Sequence, residues 1–119
     1  MEPQPNVAST PKKNAMNLPP LVENHRQPLE SLCQRYAVRQ LRLFGSAATG
    51  LFDLEHSDLD FLVEFDRPEG MDKFEQFFGL QQDLVKLFGR KVDLVDWNAA
   101  KNPFFRAEAE SEARTVYGL

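Results

Sequence analysis

Apolar residues along this chain switch between two periods. Leu29, Leu32, Cys33, Tyr36 and Ala37 fall at i, i+3, i+4, i+7 and i+8, one face of a helix with Pro28 in its first turn. Val38 to Phe44 and Leu59 to Phe65 are short apolar runs that read as strands; Gly45 ends the first, and the turn-rich cluster Asp66, Arg67, Pro68, Glu69, Gly70 ends the second. Ser46 between them stands where it caps a short helix, Ala47 to Thr49. Phe74, Phe77, Phe78, Leu84, Val85 and Phe88 have helical spacing over Met71 to Phe88 and predict an aromatic core stripe, with Gly89 as C-terminal cap and Gly79 as the place for a kink. Lys91 to Trp97 is a third strand. Asn102 and Pro103 open a last helix whose core face is Phe105, Ala109, Ala113 and Val116, with Glu108, Glu110 and Glu112 solvated. Three strands interleaved with helices predict an α/β (α+β) fold, a small three-stranded sheet flanked by helices and covered mainly on one face.

Composition limits this picture to one domain. The 119 residues suffice for a single core, and ten phenylalanines make that core aromatic. Residues 1–20 hold five of the eight prolines and no apolar periodicity, so they are expected to form a disordered extension to a domain over 21–119. A net charge of -4 argues against a dedicated nucleic-acid binder, which would carry a basic stripe. It leaves nucleotides open, because divalent cations can neutralise phosphates. Cys33 is the only cysteine, so no intrachain disulfide forms. No apolar stretch approaches a membrane span and the N-terminus lacks a signal-peptide segment, which makes the cytoplasm the expected location.

The chemistry is concentrated between Leu41 and Phe65. Side chains at i and i+2 of a strand share a face, so Asp58 and Asp60 project together while Leu59, Phe61 and Val63 turn to the core. Two carboxylates aimed at one place repel unless a cation lies between them, and magnesium prefers such hard oxygen donors together with substrate phosphates. A calcium loop starting at Asp53 fails because Asp58 occupies the position that needs glycine. Gly45 after a strand allows backbone to approach a phosphate, and Ser46 can add its hydroxyl at a helix start. A third carboxylate comes from the next strand: Asp93, inside the strand where burial of a carboxylate needs a reason, is preferred to Asp96, which has opposite parity and lies near the strand end.

With these residues assembled, the chain from about Leu29 to Tyr117 resembles a minimal nucleotidyltransferase (MNT) of the DNA polymerase beta-like superfamily. The stretches that carry the resemblance are Leu41 to Gly50, Ser57 to Phe65 and Gly89 to Val95. The resemblance implies a mixed sheet and magnesium-dependent transfer of a nucleoside monophosphate from an NTP with loss of pyrophosphate. It places Gly45 and Ser46 on the triphosphate, and Asp58, Asp60 and Asp93 as ligands of two magnesium ions. Two departures stand out: Ala47 to Ser57 makes eleven residues where relatives usually have ten, and Thr49 replaces a residue that is often basic.

The acceptor is expected to come from outside. Beyond the core elements only the N-terminal extension and the segment from Gly50 to Ser57 remain to grip one, so a partner protein is expected to supply much of the acceptor surface, in a hetero-complex. The resemblance implies what that partner is: MNT proteins commonly pair with a HEPN-domain toxin and neutralise it, in known cases by adding AMP from ATP to a tyrosine. The alternatives are an antitoxin that acts by binding alone, and transfer to a small molecule.

Overall fold

The computed structural model describes residues 18–45, 48 and 58–118. In chain order its elements are α1 (Pro20–Glu23), α2 (Arg26–Arg35), β1 (Val38–Phe44), β2 (Leu59–Phe65), α3 (Lys73–Phe88), β3 (Val92–Asp96), a 3-10 turn (Trp97–Ala99), α4 (Pro103–Glu112) and β4 (Arg114–Tyr117). The expected extension falls almost wholly outside the described residues, which begin at Leu18; that side chain is buried in the main core with Val22.

The sheet has four strands rather than three, in the order β3, β2, β1, β4. It is mixed, as the resemblance implied. β1 runs antiparallel to both β2 and β4, whereas β2 and β3 are parallel and joined by the α3 crossover. The additional strand corrects the reading of the chain's end. Val116 has the spacing of the α4 core face, but α4 stops at Glu112 and the backbone of Ala113 is extended. Arg114 to Tyr117 then pairs along β1, Leu41 opposite Tyr117 and Leu43 opposite Arg114. Val116 is buried in the main core from this strand instead.

The other ends follow local chemistry. Asp72 caps α3 by accepting a 2.7 Å hydrogen bond from the Glu75 N–H, and Gly89 closes the helix at its C-terminus. α2 ends at Arg35, so Tyr36 and Ala37, expected on its apolar face, lie beyond it, Ala37 with φ 55°. Trp97 belongs to the 3-10 turn rather than to the third strand, and Asp96 caps that turn by accepting from the Asn98 N–H at 3.0 Å.

The main core lies on one face of the sheet, where Leu59, Phe61 and Val63 of β2 meet Leu29 and Cys33 of α2 and Leu80 and Leu84 of α3. A smaller cluster of Leu62, Trp97 and Ala109, with Phe44 and Phe105 beside it, covers part of the other face. The burial surface of α3 differs from the expected aromatic stripe. Gln76, Leu80, Leu84 and Phe88 face inward at four-residue steps, leaving Phe74 71% and Phe78 45% exposed on another side of the helix. Gln76 is accommodated by donating from Nε2 to the Tyr36 carbonyl at 2.8 Å and the Asp66 carbonyl at 3.0 Å.

α3 passes through Gly79 without interruption, so the expected kink is absent. The reason for glycine is the Tyr36 ring: a Cβ at position 79 would stand 2.7 Å from Tyr36 Cε1. The Tyr36 hydroxyl is fixed in turn by donating to Asp83 at 2.6 Å. Gly79→Ala should therefore lower stability by about 1–2 kcal/mol through overpacking, although helix propensity alone favours alanine by about 1 kcal/mol. Urea unfolding of the two proteins checks the sign.

Candidate active site

The strand register brings two of the proposed carboxylates together. Phe44 of β1 stands opposite Asp60 of β2, and Asp60 opposite Asp93 of β3, so the three side chains form one row across adjacent strands. The row one step further on is Arg42, Leu62 and Val95, on the face partly covered by α4. Asp93 is exposed, so the burial argument that selected it does not hold; its strand parity and its position opposite Asp60 bring it to the site. Asp96 lies three residues on, opposite Val63 and committed to its cap.

Asp60 and Asp93 stand directly opposite each other on the parallel strands, so two carboxyl groups meet at one place. Partial burial first, then the neighbouring Asp93 carboxyl and the negative charge of Asp58, push Asp60 up to about 6, against the opposing pull of Lys91. Asp58 immediately precedes β2 and is more open; its Oδ2 lies 3.8 Å from Lys91 Nζ. Lys91 is a neighbour that the sequence reading passed over. As an exposed pair with Asp58 it adds little to stability.

Gly45 closes the site on the β1 side. Its φ is 73°, and a Cβ there would come within 2.7 Å of Asp60 Oδ2. Glycine at this point admits both the backbone turn and the carboxylate. Ser46, Ala47, Thr49 and residues 50–57 lie outside the described residues, and with them the serine expected on the triphosphate and the longer loop. Ala48 is buried, and its N–H donates to the Gly45 carbonyl at 3.0 Å.

Among the described residues no three His, Cys, Asp or Glu side chains are already gathered in ligand geometry. The donor set nevertheless fits a divalent cation. Asp60 and Asp93 bring two carboxyl groups to one place, Asp58 adds a further negative charge nearby, and all the donors are hard oxygens. Beside the carboxylates lies a cleft of about 420 Å³ walled by Phe44, Leu62, Val95 and Phe105. Phe44 and Phe105 meet edge to face at 5.5 Å. The available sequence signal for this wall was parity: Phe44 follows the alternation of Leu41 and Leu43 onto the opposite face, next to Gly45.

The raised Asp60 pKa has a thermodynamic consequence. The folded protein holds a proton at Asp60 that the unfolded chain releases near pH 3.8. The stability this proton contributes is full at and below pH 4 and is lost as pH rises through about 6. Asp60→Asn should flatten that part of the pH profile and raise the metal-free melting temperature at pH 7. Discounted for solvent screening, the gain is about 1 kcal/mol, or several degrees for a domain of this size. Thermal melts of both proteins from pH 4 to 8 measure it.

Comparison with known proteins agrees with this geometry. The family model described as a nucleotidyltransferase domain matches residues 25–116. Two candidate protein adenylyltransferases of Methanocaldococcus jannaschii are 31% identical over 100 residues and 34% over 101, each match covering 84% of this chain and 95% of the relative. Among solved structures, a candidate minimal nucleotidyltransferase superposes with a TM-score of 0.64 at 35% identity, over 77% of this chain and 89% of that one. A toxin-antitoxin crystal structure with AMP-PNP gives 0.60 at 22% identity, over 79% and 73%. The tri-AMPylated Shewanella oneidensis HEPN toxin in complex with MNT antitoxin gives 0.58 at 19%, over 82% and 73%. At these identities the last two bear on the fold alone.

Proposed function

Because the chain belongs to the nucleotidyltransferase domain family, we propose that it transfers AMP from ATP to a tyrosine hydroxyl of a HEPN-type toxin, and so serves as the antitoxin of that pair. The observation that carries this reading is the row of carboxylates: Asp60 opposite Asp93 across the parallel strands, with Asp58 beside them and Gly45 against Asp60. The relatives' description as protein adenylyltransferases supports a protein acceptor; the toxin partner and the adenine nucleotide are part of the proposal, carried over from structures that share the fold. The domain in this reading is 21–119, with residues 1–20 an extension to it. No helix among the described residues is long and apolar enough to cross a membrane, and a cytoplasmic site of action fits the reading.

Each residue then has a task. Gly45 leaves room for the triphosphate at the end of β1, and Ser46 adds its hydroxyl there. Asp58, Asp60 and Asp93 would hold two magnesium ions, which when bound neutralise charge on the reacting phosphates and on the attacking oxygen. Asp93 takes the proton of the acceptor hydroxyl as that oxygen attacks the α-phosphorus. A new oxygen–phosphorus bond forms, the bond to the bridging oxygen breaks, and pyrophosphate leaves with the electron pair.

Mass spectrometry of the co-expressed partner provides the test. Additions of AMP mass on a tyrosine, absent when Asp93→Asn is co-expressed, are the expected result. Stoichiometric binding with no added mass would overturn transfer and leave an antitoxin that acts by binding alone. AMP transfer to a small molecule without any partner would overturn the protein acceptor.

A further inference from the structure

We infer that the aromatic wall of Phe44 and Phe105, with Val95 at its margin, is the subsite that receives the planar ring of the acceptor. This inference rests on the proposed transfer to a tyrosine and assigns the residues that select it.

The cleft is lined by unlike groups. Asp60 and Asp93 supply carboxyl groups, where the proposed transfer puts the attacking oxygen, and Gln81 adds a polar side chain. Phe44, Leu62, Val95 and Phe105 supply apolar surface beside the carboxylates. Phe44 shares its sheet row with both of them, and Phe105 of α4 lies edge to face against it at 5.5 Å. Val95 sits one step along the face from Asp93 and stays 36% exposed although its neighbours Leu62 and Trp97 are buried. An uncovered apolar margin of this kind, next to charged groups, fits a ligand that is apolar along its body and polar at its tip.

Two components of the reaction bring a flat ring: the nucleotide base and the acceptor phenol. The ribose separates a base from its α-phosphate, so a base cannot touch the carboxylates while the phosphate is there. A phenol carries its reacting oxygen on the ring itself. With that oxygen at Asp93, the ring necessarily lies within one ring's length of the carboxylate, which is where the wall stands. A serine or threonine acceptor would leave the wall uncovered. The geometry therefore favours a phenolic hydroxyl over an aliphatic one at the same carboxylates.

A binding experiment on the whole protein tests this without requiring turnover. 4-Methylphenol, cyclohexanol and adenosine are titrated separately into labelled protein and followed by NMR. The expected result is that 4-methylphenol shifts the signals of Phe44, Val95 and Phe105 with millimolar affinity, while cyclohexanol binds at least tenfold more weakly. Phe105→Leu, which keeps apolar volume against Phe44, should weaken 4-methylphenol at least fivefold; Val95→Ser, outside the buried clusters, should weaken it in the same direction. Equal binding of cyclohexanol, no shift at these residues, or adenosine occupying them more tightly than the phenol would each overturn the subsite. None of those results touches transfer itself: AMP on the partner alongside a negative titration sinks the subsite alone. A positive titration with no AMP on any partner would sink the proposed transfer and leave a ring-binding cleft.

Discussion

Asp60→Asn and Asp93→Asn are each expected to reduce AMP transfer by at least about 10³-fold, the scale on which removal of a key charge-stabilising group acts in other enzymes. The cause differs between the two. Asparagine at 60 removes the carboxylate at the centre of the row, flanked by Phe44 and Asp93 on the neighbouring strands. At 93 it removes both an oxygen donor and the group that takes the acceptor proton. Neither substitution should unfold the protein: burial is the first cause that pushes Asp60 up to about 6 and the neighbouring carboxylates add to it, so a neutral amide at either position removes a cost rather than a support. Transfer from α-labelled ATP, measured beside a thermal melt, separates this from simple loss of structure. Undiminished transfer in either variant would remove that residue from the mechanism.

The largest effect on stability is expected one residue further along the same strand. Phe61 is fully buried in the main core and stacks on Phe88 of α3 with ring centroids 6.0 Å apart. Phe61→Ala removes a ring from a site that cannot collapse, because Leu59 and Val63 are fixed in the same strand, and should cost about 3–5 kcal/mol. Against a domain stability of roughly 5–15 kcal/mol, this is enough to leave a substantial unfolded fraction near 37 °C in a protein at the low end. Denaturant unfolding should show a lower midpoint. Phe61→Leu, which retains most of the volume, should recover more than half of the loss.

Residues 60 and 61 also indicate what can be read in a sequence. Strand alternation over Leu59 to Phe65 is local, and it puts Leu59, Phe61 and Val63 in the main core with Asp60 on the other face because a one-residue step reverses the face. β4 was hidden because Arg114 to Tyr117 is short and its valine continues the helical spacing of α4; its strand identity comes from pairing with β1, some seventy residues earlier. Asp93 was selected on an argument from burial, yet it is exposed, and what brings it to Asp60 is the register of a parallel pair. Registers between distant strands have no short-range signature. The outward turn of Phe74 and Phe78 has the same origin, since the inward face of α3 is chosen by the sheet and α2 rather than by its most apolar residues. Gly79 looked like a weak point in a helix and is a contact surface for Tyr36.

The strand order carries a consequence for how the chain folds as it is made. β1 and β2 are neighbours in sequence, but the outer edge of β1 acquires its partner only when residues 114–117 arrive, and β2 waits for β3 across the whole length of α3. Until β3 and then β4 have been made, the antiparallel pair of β1 and β2 lacks the neighbours it has on its two sides in the folded sheet. Such edges are open to pairing with other chains, so whatever lengthens the interval before residues 114–117 pair lengthens the time in which the chain can pair wrongly.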